Sequence, residues 1–166
     1  MKIQDVIVSI INALPEKKIE GKKRLQKLVY LVQYSDLETN ATYKISHFGP
    51  FSRDVAKTID LMVAVGLINE REEPSGIYGT YKTVYSLPSN IRTLKKLPEK
   101  QFVVASEINR YTTIELEVAS TIAFFMRSGN RFKTAVEKTK NMKPSKAIPP
   151  VIQKAEKIVE VVKNAN

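Results

Sequence analysis

The residues that could do chemistry are few, and most are cations. His47 is the only histidine and there is no cysteine. A Cys–His nucleophile pair, a thiolate metal site and a multi-histidine metal centre are therefore all ruled out. A lone imidazole beside Phe48-Gly49-Pro50 fits a hydrogen-bonded turn residue better than a general base with nothing to orient it. Glu70, Glu72 and Glu73 lie close together, but no second acidic group stands at metal-ligand spacing. Their pattern fits a solvated strand edge kept from pairing with another edge. There is no glycine-rich phosphate loop and no GxGxxG, and no local pattern marks out a Ser–Lys pair. The expectation is a protein without enzymatic activity, cofactor or metal.

The cations suit a polyanion. The chain carries +10 over 166 residues, a balance that favours nucleic acid. The charge is uneven, with 12 Lys/Arg against 10 Asp/Glu in residues 1–90 and 15 against 7 in residues 91–166. Lys22, Lys23, Arg24 and Lys27 crowd the start of one expected helix, where the helix macrodipole disfavours positive charge. A phosphate backbone would favour them there; a solvated helix start near Glu20 and Asp36 is the plainer alternative. Arg53 and Lys57 lie one turn apart on the next helix and could reach base edges in a groove. Asp54 and Asp60 on the same helix balance them. Lys95 and Lys96, in a basic stretch that also holds Arg92 and Lys100, could add phosphate contacts.

The elements that position these residues can be read from periodicity. A first helix is expected over residues 3–14, with Pro15 ending it, and a second over about Lys22–Leu37, with Leu25, Leu28, Val29 and Val32 as its apolar stripe. Between them EKKIEG reads as a loop. Tyr43–Ser46 reads as a strand that leads through a Gly49-Pro50 turn into a third helix. Ser52 is its natural N-cap, Val55, Ile59, Met62 and Val63 its buried side, and Gly66 its C-terminal stop. Strands at Leu67–Glu72 and Tyr81–Leu87 form a hairpin wing around Pro74-Ser75-Gly76. Further helices are expected at 99–110, at 113–127 behind a Thr112–Glu115 capping box, at 130–141 and over Pro150–Lys163.

The runs GKKRLQKLVYLVQY (21–34) and YKISHFGPFSRDVAKTIDLMVAVGLI (43–68) resemble two related groups. One is the uncharacterised YwgA-type proteins of bacteria and archaea. The other is the Panacea (SocA-like) antitoxin-associated domain, with its KLQKLLYL…YGP signature. The matching positions are Leu25, Gln26, Lys27, Leu28, Tyr30 and Leu31, then Phe48, Gly49, Pro50, Ser52 and Val55. In the second half, LEVASTIAFF (116–125) and AVEKTKNMKP (135–144) look like the YwgA-type group. The resemblance implies a winged-helix-like fold and, for some members, a role as antitoxin or protein adapter. On physical grounds Leu25, Leu28 and Leu31 are core residues, and Gly49 and Pro50 set the direction of the chain.

The fold expected is therefore mainly α: a winged helix-turn-helix with a small β-hairpin wing over residues 1–88, then a helical C-terminal extension over 89–166 that could serve dimerisation. The function expected is DNA binding in the manner of a transcription regulator, by a cytoplasmic homodimer on double-stranded DNA. A protein-interaction adapter or antitoxin-like module, using the same fold against a protein partner, is the alternative.

Overall fold

Helix α1, Ile3–Ala13, buries Ile3, Val6, Ile7, Val8, Ile10 and Ile11, more of its circumference than a one-sided stripe would cover. Neighbours explain this, since α2, α3 and α4, introduced below, all pack on it. A short 3₁₀ turn at Pro15–Lys17 follows. The chain is described from a computed structural model that covers residues 1–89, 91 and 95–165; the expectation placed on Arg92 lies outside these.

The segment expected to be a loop contains a strand. β1, Lys18–Glu20, pairs antiparallel with β5, Tyr81–Ser86, with Ile19 opposite Tyr85. Both side chains are buried, so one apolar residue between charged neighbours suffices once a partner strand is supplied from far along the chain. β4, Asn69–Pro74, pairs with β5 on its other side, giving the order β1-β5-β4.

α2, Lys22–Tyr34, is the central helix, and every residue from Leu25 to Gln33 is buried. It stops three residues earlier than its apolar spacing suggests. The Ser35 hydroxyl donates to the Val32 carbonyl at 2.7 Å, and Asp36 turns left-handed at φ +63°. Residues 35–52 then run to α3, Arg53–Ala64, through a two-stranded hairpin of β2, Lys44–Ser46, and β3, Gly49–Phe51. The short turn of a helix-turn-helix, three or four residues long, is not what joins these helices. α3 begins as its sequence suggests, with the Ser52 side chain accepting from the Val55 N–H at 3.2 Å.

The helices α4 (Glu99–Ile108), α5 (Thr113–Arg127), α6 (Phe132–Met142) and α7 (Pro149–Asn164) complete the described chain. Thr112 and Glu115 form the reciprocal capping box of α5, at 3.2 and 2.7 Å. α5 packs on α2, α6, α7 and β3, and its Leu116, Val118, Ala119 and Ile122 join Ala155, Ile158, Val159 and Val162 of α7 in a core continuous with that of α1–α3. The apolar stripes considered for dimerisation are thus used within one chain. The protein is mainly α-helical with a small antiparallel sheet, and no helix among the described residues is long and apolar enough to cross a membrane.

Candidate nucleic-acid interface

α3 presents Arg53, Lys57, Asp60, Leu61 and Ala64 to solvent. Its acids are occupied. The Asp54 carboxylate accepts from the Thr42 backbone N–H at 3.0 Å and from the Thr42 hydroxyl at 2.9 Å, and these bonds hold its pKa below the usual carboxylate range. Asp60 pairs with the Lys22 ammonium at 2.7 Å. Arg53 and Lys57 enter no ion pair among the described residues. The charge balance along α3 is therefore less even at its exposed face than in its sequence.

The α2 cations separate into different roles. Lys22 neutralises Asp60. Lys23 is exposed, with its Nζ 4.0 Å above the centre of the Phe48 ring. The Arg24 guanidinium turns inward, donating to the Tyr111 carbonyl at 2.8 Å, to the Asn109 carbonyl, and to Asn109 Oδ1 at 3.0 Å; it ties the start of α2 to the turn between α4 and α5. Lys27 is only 2% exposed, and its ammonium donates to the Pro50 carbonyl at 2.6 Å. These placements correct the expectation of phosphate contact for Lys27, whose charge is buried against a carbonyl oxygen and cannot reach a backbone outside, and for Arg24, half-buried with its guanidinium already committed to the α4–α5 turn. Lys95 and Lys96 are exposed, and the Lys95 carbonyl accepts from the Ser9 hydroxyl at 3.1 Å, which sets that segment against α1.

The wing is less acidic at its tip than along its stem. Arg71 pairs with Glu73 at 2.6 Å and Lys82 with Glu20 at 2.5 Å. The tip itself exposes Ile77, Tyr78 and Tyr81 without charge.

Behind the β2–β3 hairpin lies an ion cluster that sequence reasoning missed. Glu117, on α5 and fully buried, accepts from Lys143 at 2.7 Å and from Lys146 at 2.8 and 3.0 Å. Lys143, itself buried, also donates to the His47 carbonyl at 2.7 Å. Burial alone would raise the Glu117 pKa, but the hydrogen bonds from the two lysines outweigh it and hold the carboxyl below its usual range. The Gln26 side chain completes the clamp, donating to the Ser52 carbonyl at 2.9 Å and accepting from the Ser52 N–H at 3.3 Å. The residues of the LQK and FGP-FS runs thus hold the hairpin and the N-cap of α3 to α2. Their arrangement is that of a brace. One signal in the sequence could have revealed it: Glu117 is the lone acid within an apolar run, and a buried carboxylate requires a partner.

Burial pushes the Lys27 ammonium down to about 8, with Glu117 partly restoring it and Lys143, Lys23 and Lys146 lowering it further. Below that pH both folded and unfolded chains hold the proton, and the buried charge costs stability in full. Between it and the ordinary lysine value of 10.5 the unfolded chain binds a proton that the folded chain does not. Stability from this group therefore rises with pH across the window, by on the order of 2 kcal/mol between about pH 8 and pH 9.5. Lys27→Met is expected to flatten that rise, as followed by thermal melts at closely spaced pH.

Against known proteins, the chain is 27% identical over 112 residues to the uncharacterised protein YwgA of Bacillus subtilis (strain 168). That stretch takes in 64% of this chain and 66% of the relative. No family model and no solved structure matches.

Proposed function

We propose that the chain is a non-catalytic winged-helix protein that binds duplex DNA through α3, as a transcription regulator does. The observation that carries this reading is the pair Arg53 and Lys57, exposed and unpaired one turn apart while Lys22 neutralises Asp60. The element order supports it too: α1, β1, α2, α3 and the β4–β5 hairpin, with β1 against β5, is the order of a winged helix, here with a β-hairpin between α2 and α3. In this arrangement Arg53 and Lys57 enter the groove, and Lys23, Lys95 and Lys96 serve as phosphate contacts.

The test is fluorescence anisotropy with a labelled duplex across a salt series. Affinity should fall steeply between about 50 and 200 mM salt as counterions are released. In Arg53→Ala/Lys57→Ala binding should weaken at least about tenfold and discriminate less between duplex sequences, while the log–log salt slope should shrink by about 2 in Lys95→Ala/Lys96→Ala. Salt-independent affinity, or an Arg53→Ala/Lys57→Ala variant that binds as the parent does, rejects the proposal.

A second reading, a protein adapter, draws on a different observation. Leu61 and Val65 at the end of α3 are 62% and 60% exposed, and Ile77 and Tyr78 at the wing tip 71% and 104%; exposed apolar groups of this size suit a protein partner. Leu61→Ser/Val65→Ser distinguishes the two, since it should leave DNA affinity intact and abolish capture of a protein partner.

A further inference from the structure

Three buried polar atoms have no hydrogen-bond partner among the described residues: the hydroxyls of Tyr30 and Tyr43 and the side-chain oxygen of Gln33. Such atoms are costly and uncommon in folded proteins, and here all three belong to residues that line one cavity of about 340 Å³. Tyr30 and Gln33 are 2% and 8% exposed. Gln33 is not free to turn its amide over, because its nitrogen donates to the Ala41 carbonyl at 3.2 Å. Its oxygen is thus an acceptor fixed in place and unused. Burial raises both phenols well above their ordinary pKa, so each remains an O–H donor at neutral pH.

Arg127, at the end of α5, lines the same cavity and enters neither an ion pair nor a hydrogen bond among the described residues. A second hollow, of about 510 Å³, adjoins the first through Gln33 and Arg127 and carries Asp36 and Glu38 on its wall. The space therefore offers a guanidinium, a fixed amide acceptor with two carboxylates beyond it, and an aromatic chamber walled by Tyr30, Tyr43 and Phe124.

We propose that these adjoining cavities bind a free α-amino acid. Its carboxylate pairs with Arg127, whose planar donors suit a two-oxygen acceptor. Its ammonium donates to the Gln33 oxygen in the field of Asp36 and Glu38. Its side chain enters the aromatic chamber, where the two hydroxyls meet a polar end. The two hydroxyls and the Gln33 oxygen all have almost no solvent contact, so the occupant reaches the three of them through a small turn of the Tyr43 ring. That ring hangs on the irregular 35–43 connection rather than on a helix.

The full chain is titrated with each of the twenty amino acids by isothermal calorimetry, with the melting temperature followed in parallel. At least one is expected to bind saturably and raise the melting temperature, while its N-acetyl and carboxamide derivatives do not. Arg127→Met should weaken that binding at least about tenfold. Tyr43→Phe should leave the melting temperature of the free protein unchanged or raise it, since the hydroxyl is buried with no protein partner to lose, yet change which amino acids bind. No saturable binding by any of the twenty, equal binding of the blocked derivatives, or full binding by Arg127→Met overturns the proposal. None of these measurements involves DNA, so the outcome is separate from that of the proposed α3 interface.

Discussion

Glu117→Gln is expected to destabilise the fold by about 3–5 kcal/mol, the usual effect of removing one partner from a buried ion cluster. Among the described residues the carboxylate is the only acid hydrogen-bonded to Lys143 and Lys146. Glutamine fills the same space but leaves the Lys143 ammonium, 2% exposed, without a countercharge. Lys143 also holds the His47 carbonyl, so the loss should loosen the β2–β3 hairpin. In a chain of this size the melting temperature should fall by on the order of 10 °C. Lys146→Ala is the contrast. Its side chain is 28% exposed and Glu117 keeps its bond to Lys143, so the loss should be under about 1 kcal/mol. Acid adds a second check: because Glu117 titrates below its usual range when folded, its contribution is complete above the ordinary glutamate pKa and disappears as pH falls through the lower folded value. The Gln variant should lack that part of the acid transition.

The second large effect is expected at Gly49. Its φ is +86°, and a Cβ there would stand 2.8 Å from the Thr121 hydroxyl. Thr121 is not free to yield, since that hydroxyl donates to the Glu117 carbonyl at 2.7 Å. Gly49→Ala therefore meets a left-handed backbone penalty of about 1–2 kcal/mol and a steric overlap besides, for a total of roughly 2–4 kcal/mol. Removing the obstacle separates the two. In Gly49→Ala/Thr121→Ala the overlap is relieved and the backbone cost remains, so a double-mutant cycle in chemical denaturation should show a favourable coupling of about 1 kcal/mol or more. A coupling near zero would mean that the hairpin, not Thr121, moves to make room.

Much of the architecture was legible where its cause is local. Ser52, Thr112 with Glu115, and Gly66 mark helix ends through bonds made within a few residues, and the structure places those ends where the side chains indicate. β1 was not legible, because Lys18–Glu20 becomes a strand only through Tyr85 and its neighbours on β5. Lys27 was misplaced for a similar reason. Taken alone it continues the basic run from Lys22, but the residues around it, Leu25 to Gln33, include no other charged side chain and are buried all round. A helix without a charged face is an interior helix, and its lysine must find an internal acceptor. Neither Pro50 nor the lysines on Glu117 are near enough in sequence to mark the partnership in advance. The tyrosine-lined cavity was equally hidden, since Tyr30, Tyr43 and Arg127 come together only when α5 lies along α2.

The bond from Lys143 to the His47 carbonyl joins residues 96 positions apart, and the β1–β5 ladder joins residues more than 60 apart. The ladder closes a loop that contains α2, and the lysine bond one that contains α3 to α6. During synthesis, α1 to β5 emerge long before the strut that steadies their hairpin, so the N-terminal half waits with the α5-facing side of α2 uncovered. Folding rates fall as contacts become more distant in sequence, so this chain should fold more slowly than its high helix content alone would suggest. Its nascent first half should be the stretch most in need of a chaperone.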